Sequence, residues 1–171
     1  MRKKISDLIV SQMSSGDRQL EGFSSGIWET DEIIVAHNEI SNFCSILLFP
    51  SDKDVYSSGF PVPKFQLCFI FPGQSHHWKF EKCTSVHYLI IGNSVIHNIP
   101  FLYPPPINIL KQFPSIKLTN YEFDTVQYEM NKIHQEMNRP DMYKGIIYAR
   151  IANIFAETFR FIQNRYDPEW N

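Results

Sequence analysis

The chain has 171 residues, a formal net charge of −2 at pH 7 and an aromatic content of 15%. This length fits one domain with a real hydrophobic core, and a charge so close to zero excludes both a disordered, highly charged chain and a basic surface that grips nucleic acid. No apolar stretch reaches the roughly 20 residues that a membrane-spanning helix requires.

The cysteines point to a reducing compartment. Cys44, Cys68 and Cys83 form an odd set without a paired motif, and the first two lie inside apolar runs, where thiols usually act as small core residues. The N-terminus is basic, but the apolar patch after it is too short for a signal peptide. We therefore expect a cytoplasmic protein that is neither exported nor inserted in a membrane.

Residues 1–22 are polar and predict an N-terminal arm. From Gly26 the chain changes to short apolar runs separated by turn residues, a spacing that predicts an antiparallel sandwich or small barrel over residues 23–98. The predicted strands are Ile33 to Ala36, Cys44 to Phe49, Phe65 to Phe71, His76 to Phe80 and Val86 to Ile91.

The stretch from Phe65 to Phe80 is the most informative part of this β-region. The aromatic and branched residues from Phe65 to Phe71 favour a strand that is buried on both faces, and Pro72 and Gly73 end it with a tight turn. From His76 the side chains alternate, so His76, Trp78 and Phe80 share one face, which we expect to point inward.

A proline-rich connector and two helices follow. Pro104, Pro105 and Pro106 predict an extended segment within the connector, residues 99–118. Thr119 and Glu122 then form a capping box, and the apolar residues after it repeat at spacings of three and four, which predicts a helix that ends near Asn138.

Pro140 suits the first turn of a second helix that runs to about Arg165, so that the helical hairpin covers residues 119–166. This second helix has two adjacent apolar seams. One seam can pack on the first helix, and the other must meet the β-layer or a second molecule. The candidate dimer-interface residues are Ile147, Ile151, Ile154, Phe155, Phe159 and Ile162.

The sequence offers little support for catalysis or metal binding. His76 and His77 are neighbours on a strand and point to opposite faces, whereas Cys83 and His87 lie roughly 13 Å apart on an unbroken strand. There is no Gly-x-Ser-x-Gly motif, no glycine-rich phosphate loop and no inward pair of carboxylates. We predict that the chain is not an enzyme and holds neither metal nor cofactor.

An aromatic interior with a few polar groups remains as the candidate site for a small ligand. The alternative is a plain hydrophobic core with a hydrogen-bonded His76, and His37 is open to assignment as a pocket or an edge residue. The candidate ligand-binding residues are His37, Phe69, Phe71, His76, Trp78, Phe80 and Tyr88.

The segment from Pro72 to Trp78 has the pattern Pro-Gly-x-x-His-x-Trp between two apolar strands, and it resembles the sensor domain of AraC/XylS-family transcription regulators. The order of the whole chain is also similar. The resemblance implies an α+β fold, in which a cupin-like antiparallel β-barrel is followed by two long antiparallel helices. It further implies a small-molecule effector in the barrel, a homodimer formed through the helices, and DNA binding by a separate helix-turn-helix domain.

Two departures from the family pattern affect these expectations. The metal-binding cupin signature lacks its upstream His-x-His, which weakens a metal-dependent role. Residues 119–165 are too apolar to serve as a helix-turn-helix, so we expect DNA contact only through a domain absent from this chain, either because the chain is a piece of a longer regulator or because it is naturally short. A stand-alone cupin enzyme or sugar-binding protein and a ligand-free dimerisation scaffold are the alternatives.

Overall fold

The computed structural model describes residues 23–30, 34–38, 43–50, 55–57, 60–72, 74, 76–80, 84–99 and 105–166. The strands are β1 (Phe23–Thr30), β2 (Ile34–Asn38), β3 (Phe43–Phe49), β4 (Val55–Ser57), β5 (Phe60–Pro61), β6 (Gln66–Ile70), β7 (His76–Phe80), β8 (Thr84–Gly92) and β9 (Ser115–Lys117). The helices are α1 (Asn93–His97), α2 (Pro105–Gln112), α3 (Asn120–Met137) and α4 (Lys144–Tyr166). The predicted arm, residues 1–22, lies outside the described residues.

The strands form two antiparallel sheets. One has five strands in the order β1-β8-β3-β6-β9, and the other has four in the order β2-β7-β4-β5. The predicted α+β class is confirmed. Within the described residues the strand pairings leave both sheets open, so a closed cupin barrel does not follow from them.

The five-stranded sheet is buried on both faces, because alternate residues of each strand enter different apolar clusters. One face packs against the helices, and we call it the helix face. The opposite face, which we call the inner face, is formed by Trp28, Leu47, Phe49, Val62, Cys68, Ile70, Val86, Tyr88 and Ile90. Val62 follows β5, so the chain that leaves the four-stranded sheet meets the five-stranded sheet on this face.

Helices α3 and α4 pack together and cover the helix face. Phe155 of α4 lies 5.6 Å from Phe69 of β6, measured between ring centroids. An ion pair joins Arg150 of α4 to Glu129 of α3 at 2.8 Å. No helix in the described ranges has both the length and the apolar character needed to cross a membrane.

The start of α3 confirms the predicted capping box. The Thr119 side chain accepts a hydrogen bond from the Glu122 amide, and the Glu122 carboxylate accepts one from the Thr119 amide at 2.8 Å. Two of the amide groups that a helix N-terminus leaves unpaired are thereby satisfied. At the other end, Asn138 is the C-cap, where the prediction placed the end of the helix.

The connector is more ordered than the proline run predicts. Helix α2 begins at Pro105, and β9 adds to the edge of the five-stranded sheet. Proline is tolerated in the first turn of a helix because its missing amide has no partner there in any case. The predicted extended segment at Pro104 to Pro106 is therefore wrong for Pro105 and Pro106. Helix α4 starts at Lys144 rather than at Pro140.

Phe65 does not belong to the strand that was predicted to begin there. Its φ is 60°, the left-handed region that side chains other than glycine rarely adopt. Its carbonyl accepts a hydrogen bond from the Leu118 amide at 2.8 Å, and its ring lies 4.5 Å from that of Phe123. These contacts to β9 and α3 hold Phe65 in a conformation that turns the chain into β6.

Candidate functional site

The inner face of the five-stranded sheet is the candidate site. Tyr88 stands on it at 3% exposure, directly opposite Gly26 in the pairing of β1 with β8. A Cβ atom at position 26 would lie 2.9 Å from the Tyr88 hydroxyl oxygen, which is closer than such atoms pack. Gly26 therefore leaves the space that the Tyr88 ring fills.

A cluster of polar side chains lies at the β6–β9 end of this face. Gln66 is 6% exposed, and its amide nitrogen donates a hydrogen bond to the Ser115 hydroxyl of β9. The amide oxygen, Oε1, is buried and has no hydrogen-bond partner among the described residues. A buried acceptor without a partner lowers the stability of the fold. A ligand that donates a hydrogen bond to Oε1 would remove this cost.

Cys68 belongs to the same cluster of polar side chains. Its thiol lies 3.7 Å from the Ser115 hydroxyl. Burial raises the pKa of the Cys68 thiol to about 12, although the Ser115 hydrogen bond opposes the shift. Burial also raises the pKa of Cys44. Because the thiolate is the nucleophile and the metal ligand, neither thiol is activated for chemistry in this fold.

The helix face also carries polar groups, but these are paired. His87 is 7% exposed, and its Nε2 lies 3.1 Å from the side-chain nitrogen of Gln127 in α3. A neutral ring with its proton on Nδ1 can accept a hydrogen bond at Nε2 from this amide. Burial lowers the pKa of His87, which favours the same state.

Among the predicted ligand-binding residues, Tyr88 lies on the inner face and Phe69 and Phe71 do not. Both phenylalanines belong to the helix-facing core, and Phe69 contacts Phe155. The prediction that Phe69 and Phe71 share an interior with Tyr88 is wrong, because β6 alternates and places Cys68 and Ile70 on the inner face instead.

The remaining predicted ligand residues have only their backbones described. In the pairing of β2 with β7, His37 is opposite His77, and Asn38 is opposite His76. Directly opposed residues lie on the same face of a sheet. His37 of β2 therefore does not share a face with the three predicted residues of β7, which are His76, Trp78 and Phe80.

The predicted dimer seam is largely core. Ile147, Ile151, Ile154 and Phe155 are 0% exposed, and Ile162 is 3% exposed, whereas Phe159 is half-buried. Five of the six residues are thus packed within one chain and are not available to a second copy. The sequence pattern identified the buried face of α4 and left open whether the β-layer or a second molecule covers it; within the described residues these side chains are buried in their own chain.

Sequence reasoning missed Gln66. The signal was present as a single amide within the apolar run from Phe65 to Phe71, where every other side chain is apolar. As for metals, the described part of the chain contains no group of three or more His, Cys, Asp or Glu residues that could hold an ion.

No family model matches the sequence, and no curated protein matches it. Among solved structures the chain is similar to ToxT from Vibrio cholerae, with a TM-score of 0.50 and 8% identity over 85% of this chain and 58% of that chain. An apo point variant of ToxT from the same species gives a TM-score of 0.55 and 8% identity over 88% of this chain and 59% of that chain. CuxR, described as an AraC-like transcriptional activator, gives a TM-score of 0.46 and 10% identity over 85% of this chain and 58% of that chain.

The likeness to ToxT concerns the fold, because 8% identity carries no further information. The chain spans 58–59% of the length of the ToxT structures that it matches. The fold that the sequence resemblance implied, a β-region followed by two long helices, is therefore found in a solved structure.

Proposed function

We propose that this chain is the ligand-sensing and dimerisation part of an AraC-type transcriptional regulator. The observation that carries the proposal is the fold likeness to ToxT, an AraC-like regulator, over 85–88% of this chain. The Pro-Gly-x-x-His-x-Trp pattern from Pro72 to Trp78 supports it independently. DNA contact belongs to another domain in this proposal, and the cytoplasm is the compartment in which it acts.

We place the effector on the inner face, within a cupin-like barrel. The buried Oε1 of Gln66 favours an effector with a hydroxyl or N–H donor, because a new hydrogen bond there would satisfy an acceptor that otherwise costs free energy. Phe49 lies directly opposite Gln66 in the pairing of β3 with β6, and it continues into the apolar inner face that includes Leu47 and Tyr88, which suits an apolar body. A sugar or a hydroxylated metabolite has this chemistry.

The effector must act by differential binding. A ligand shifts the equilibrium between two states only to the extent that it binds one of them more tightly. In this proposal the effector-bound state has a different placement of the arm at residues 1–22, which changes how the dimer presents its DNA-binding domains.

Dimerisation through α4 would use its outward face, because the inward one is occupied. Ile146 is 39% exposed, and the exposed residues that continue its stripe at helical spacing are Ala149, Asn153, Ala156 and Arg160. Ala156→Glu would place a charge within this stripe, so we expect it to shift the chain from dimer to monomer in sedimentation equilibrium. Ile151→Ala, inside the core, should lower the melting temperature instead; a dimer that survives Ala156→Glu would contradict the α4 interface.

A thermal-shift screen of the chain against sugars, sugar acids, aromatic metabolites and divalent metals tests the sensing role. A ligand that binds only the folded state raises the melting temperature, by an amount that grows with its concentration. We expect a shift with one class of organic compound. A shift with metal alone would favour the cupin enzyme, and no shift with any compound would favour a dimerisation scaffold whose interior is filled by its own side chains.

A further inference from the structure

A cleft of about 380 Å³ opens at the outer edge of the five-stranded sheet, where β9 meets the last turn of α4. It adjoins the polar side chains of the inner face, because Ser115, which binds Gln66 and Cys68, also lines it. Its other walls come from the α2–β9 segment and from the end of α4. Its lining includes Phe113, Ser115, Lys117, Arg165 and Tyr166.

Within the described ranges, the outer edge of β9 supplies backbone donors that no other strand pairs. Phe69 donates to the Pro114 carbonyl, and Leu118 donates to the Phe65 carbonyl, both at 2.8 Å. Antiparallel strands alternate between hydrogen-bonded and non-bonded pairs. These two bonds make the pairs Cys68–Ser115 and Gln66–Lys117 non-bonded, so Ser115 and Lys117 direct their amides away from β6. On that side β9 has no neighbouring strand in the described sheet.

One contact confirms this outward direction. The Lys117 carbonyl accepts a hydrogen bond at 2.6 Å from Nη1 of Arg165, which comes from across the cleft. The other terminal nitrogen of Arg165 binds the Glu122 carboxylate. Arg165 therefore satisfies one carbonyl of an exposed sheet edge, while the amide groups of Ser115 and Lys117 remain directed at the cleft.

Lys117 adds a positive charge. Within the described residues its ammonium group makes neither an ion pair nor a hydrogen bond, in contrast to Arg165, whose charge is matched by Glu122. The Ser115 hydroxyl accepts hydrogen bonds from Gln66 and Cys68, so its own proton is left to donate. The cleft thus presents donors and one unmatched cation, a combination that selects an anion.

The opposite wall is aromatic. Phe113 and Tyr166 stack with their ring centroids 5.0 Å apart and their planes at 24°. Tyr166 is 65% exposed, so this stack presents an open aromatic surface to the cleft. An offset aromatic neighbour is the partner that such a surface favours beyond simple apolar contact.

We propose that this cleft binds a small aromatic carboxylate, with its carboxylate at the Lys117 ammonium and an edge amide of β9 and its ring against Phe113 and Tyr166. The site shares Ser115 with the polar end of the inner face, but its aromatic wall, Phe113 and Tyr166, is not part of that face. Because Arg165 joins β9, α3 and the end of α4, the bound anion lies beside the contact that fixes the last turn of α4.

Benzoate is the probe, titrated into the ¹⁵N-labelled 171-residue chain at low salt. We expect the amide signals of Ser115 and Lys117 to shift in a saturable way. Benzamide, which lacks the charge, and cyclohexanecarboxylate, which lacks the aromatic ring, should each bind more weakly. Added salt should weaken the binding of benzoate, because its charge and that of Lys117 are both near solvent.

Two substitutions separate the proposed contacts. Lys117→Met removes a charge-assisted contact and should weaken benzoate binding about tenfold or more, whereas Lys144→Met, at the far end of α4, should leave it unchanged. Phe113→Leu should reduce the preference for benzoate over cyclohexanecarboxylate. Unshifted β9 amides at tens of millimolar benzoate, or equal binding by Lys117→Met and the unmodified chain, would overturn the assignment.

Discussion

The two faces of the five-stranded sheet are both buried, but they differ in whether their buried polar atoms have hydrogen-bond partners. On the helix face, His87 has Gln127 as its partner, and the Ser25 carbonyl contacts His134 at 3.0 Å. On the inner face the Gln66 oxygen has no partner among the described residues. A sheet that lies between two apolar layers needs no polar atom for its folding, so the face that keeps an unmatched one is where we expect function.

The largest effect should come from the helix face. Phe155→Ala removes a ring that is 0% exposed and contacts Phe69, and such truncations cost about 3–5 kcal/mol of unfolding free energy. Urea denaturation measures the loss. Tyr143→Ala, at a residue that is 67% exposed, is the matched control and should cost far less; similar losses for the two variants would contradict the helix packing.

A smaller effect is expected from Gly26→Ala on the inner face. The new methyl group would meet the Tyr88 side chain, and because the ring is buried among other side chains its displacement should cost about 1–3 kcal/mol. Double substitution with Tyr88→Leu should recover part of the loss. Additive costs in the urea denaturation of the double variant would show that the two residues do not compete for the same space.

The pairing of His87 makes a prediction about pH. Its pKa is lowered in the folded chain from the ordinary 6.5, so below about pH 6.5 the unfolded chain takes up a proton that the folded chain does not. Stability should therefore fall as the pH drops through 6.5 towards the lowered pKa. His87→Gln should flatten this part of the profile of melting temperature against pH.

A buried residue that does not titrate provides the control for that profile. Met130→Leu, on the side of α3 that packs in the helix-facing core, should leave the slope below pH 6.5 as it is. If His87→Gln and Met130→Leu change the slope equally, the titration of His87 does not set the pH dependence.

The sequence determined the helical half of the fold better than the β-half. The capping box at Thr119 and Glu122 placed the start of α3, because a cap depends on residues three positions apart. Periodicity also found the buried face of α4. It did not say whether that face meets the same chain or another, since amphipathicity reports burial and not the identity of the partner.

In the β-region the strands were found but their faces were not. Phe69 and Phe71 were placed with Tyr88, although β6 directs them to the helices. A strand that is buried on both faces shows no polar alternation, so its sequence does not reveal which side chains point in which direction. Gln66 breaks the apolar run, yet its unmatched oxygen became visible only once β9 was placed beside it.

The most direct test of an effector site on the inner face is the ligand-induced shift of melting temperature in Gln66→Leu. Removing a buried, half-satisfied amide should leave stability nearly unchanged or raise it, while the shift caused by the effector class found in the screen is lost. Ile70→Val, on the same strand and face, is the control and should keep the shift. A full shift in Gln66→Leu would contradict our account of the inner face as the place where an effector is sensed.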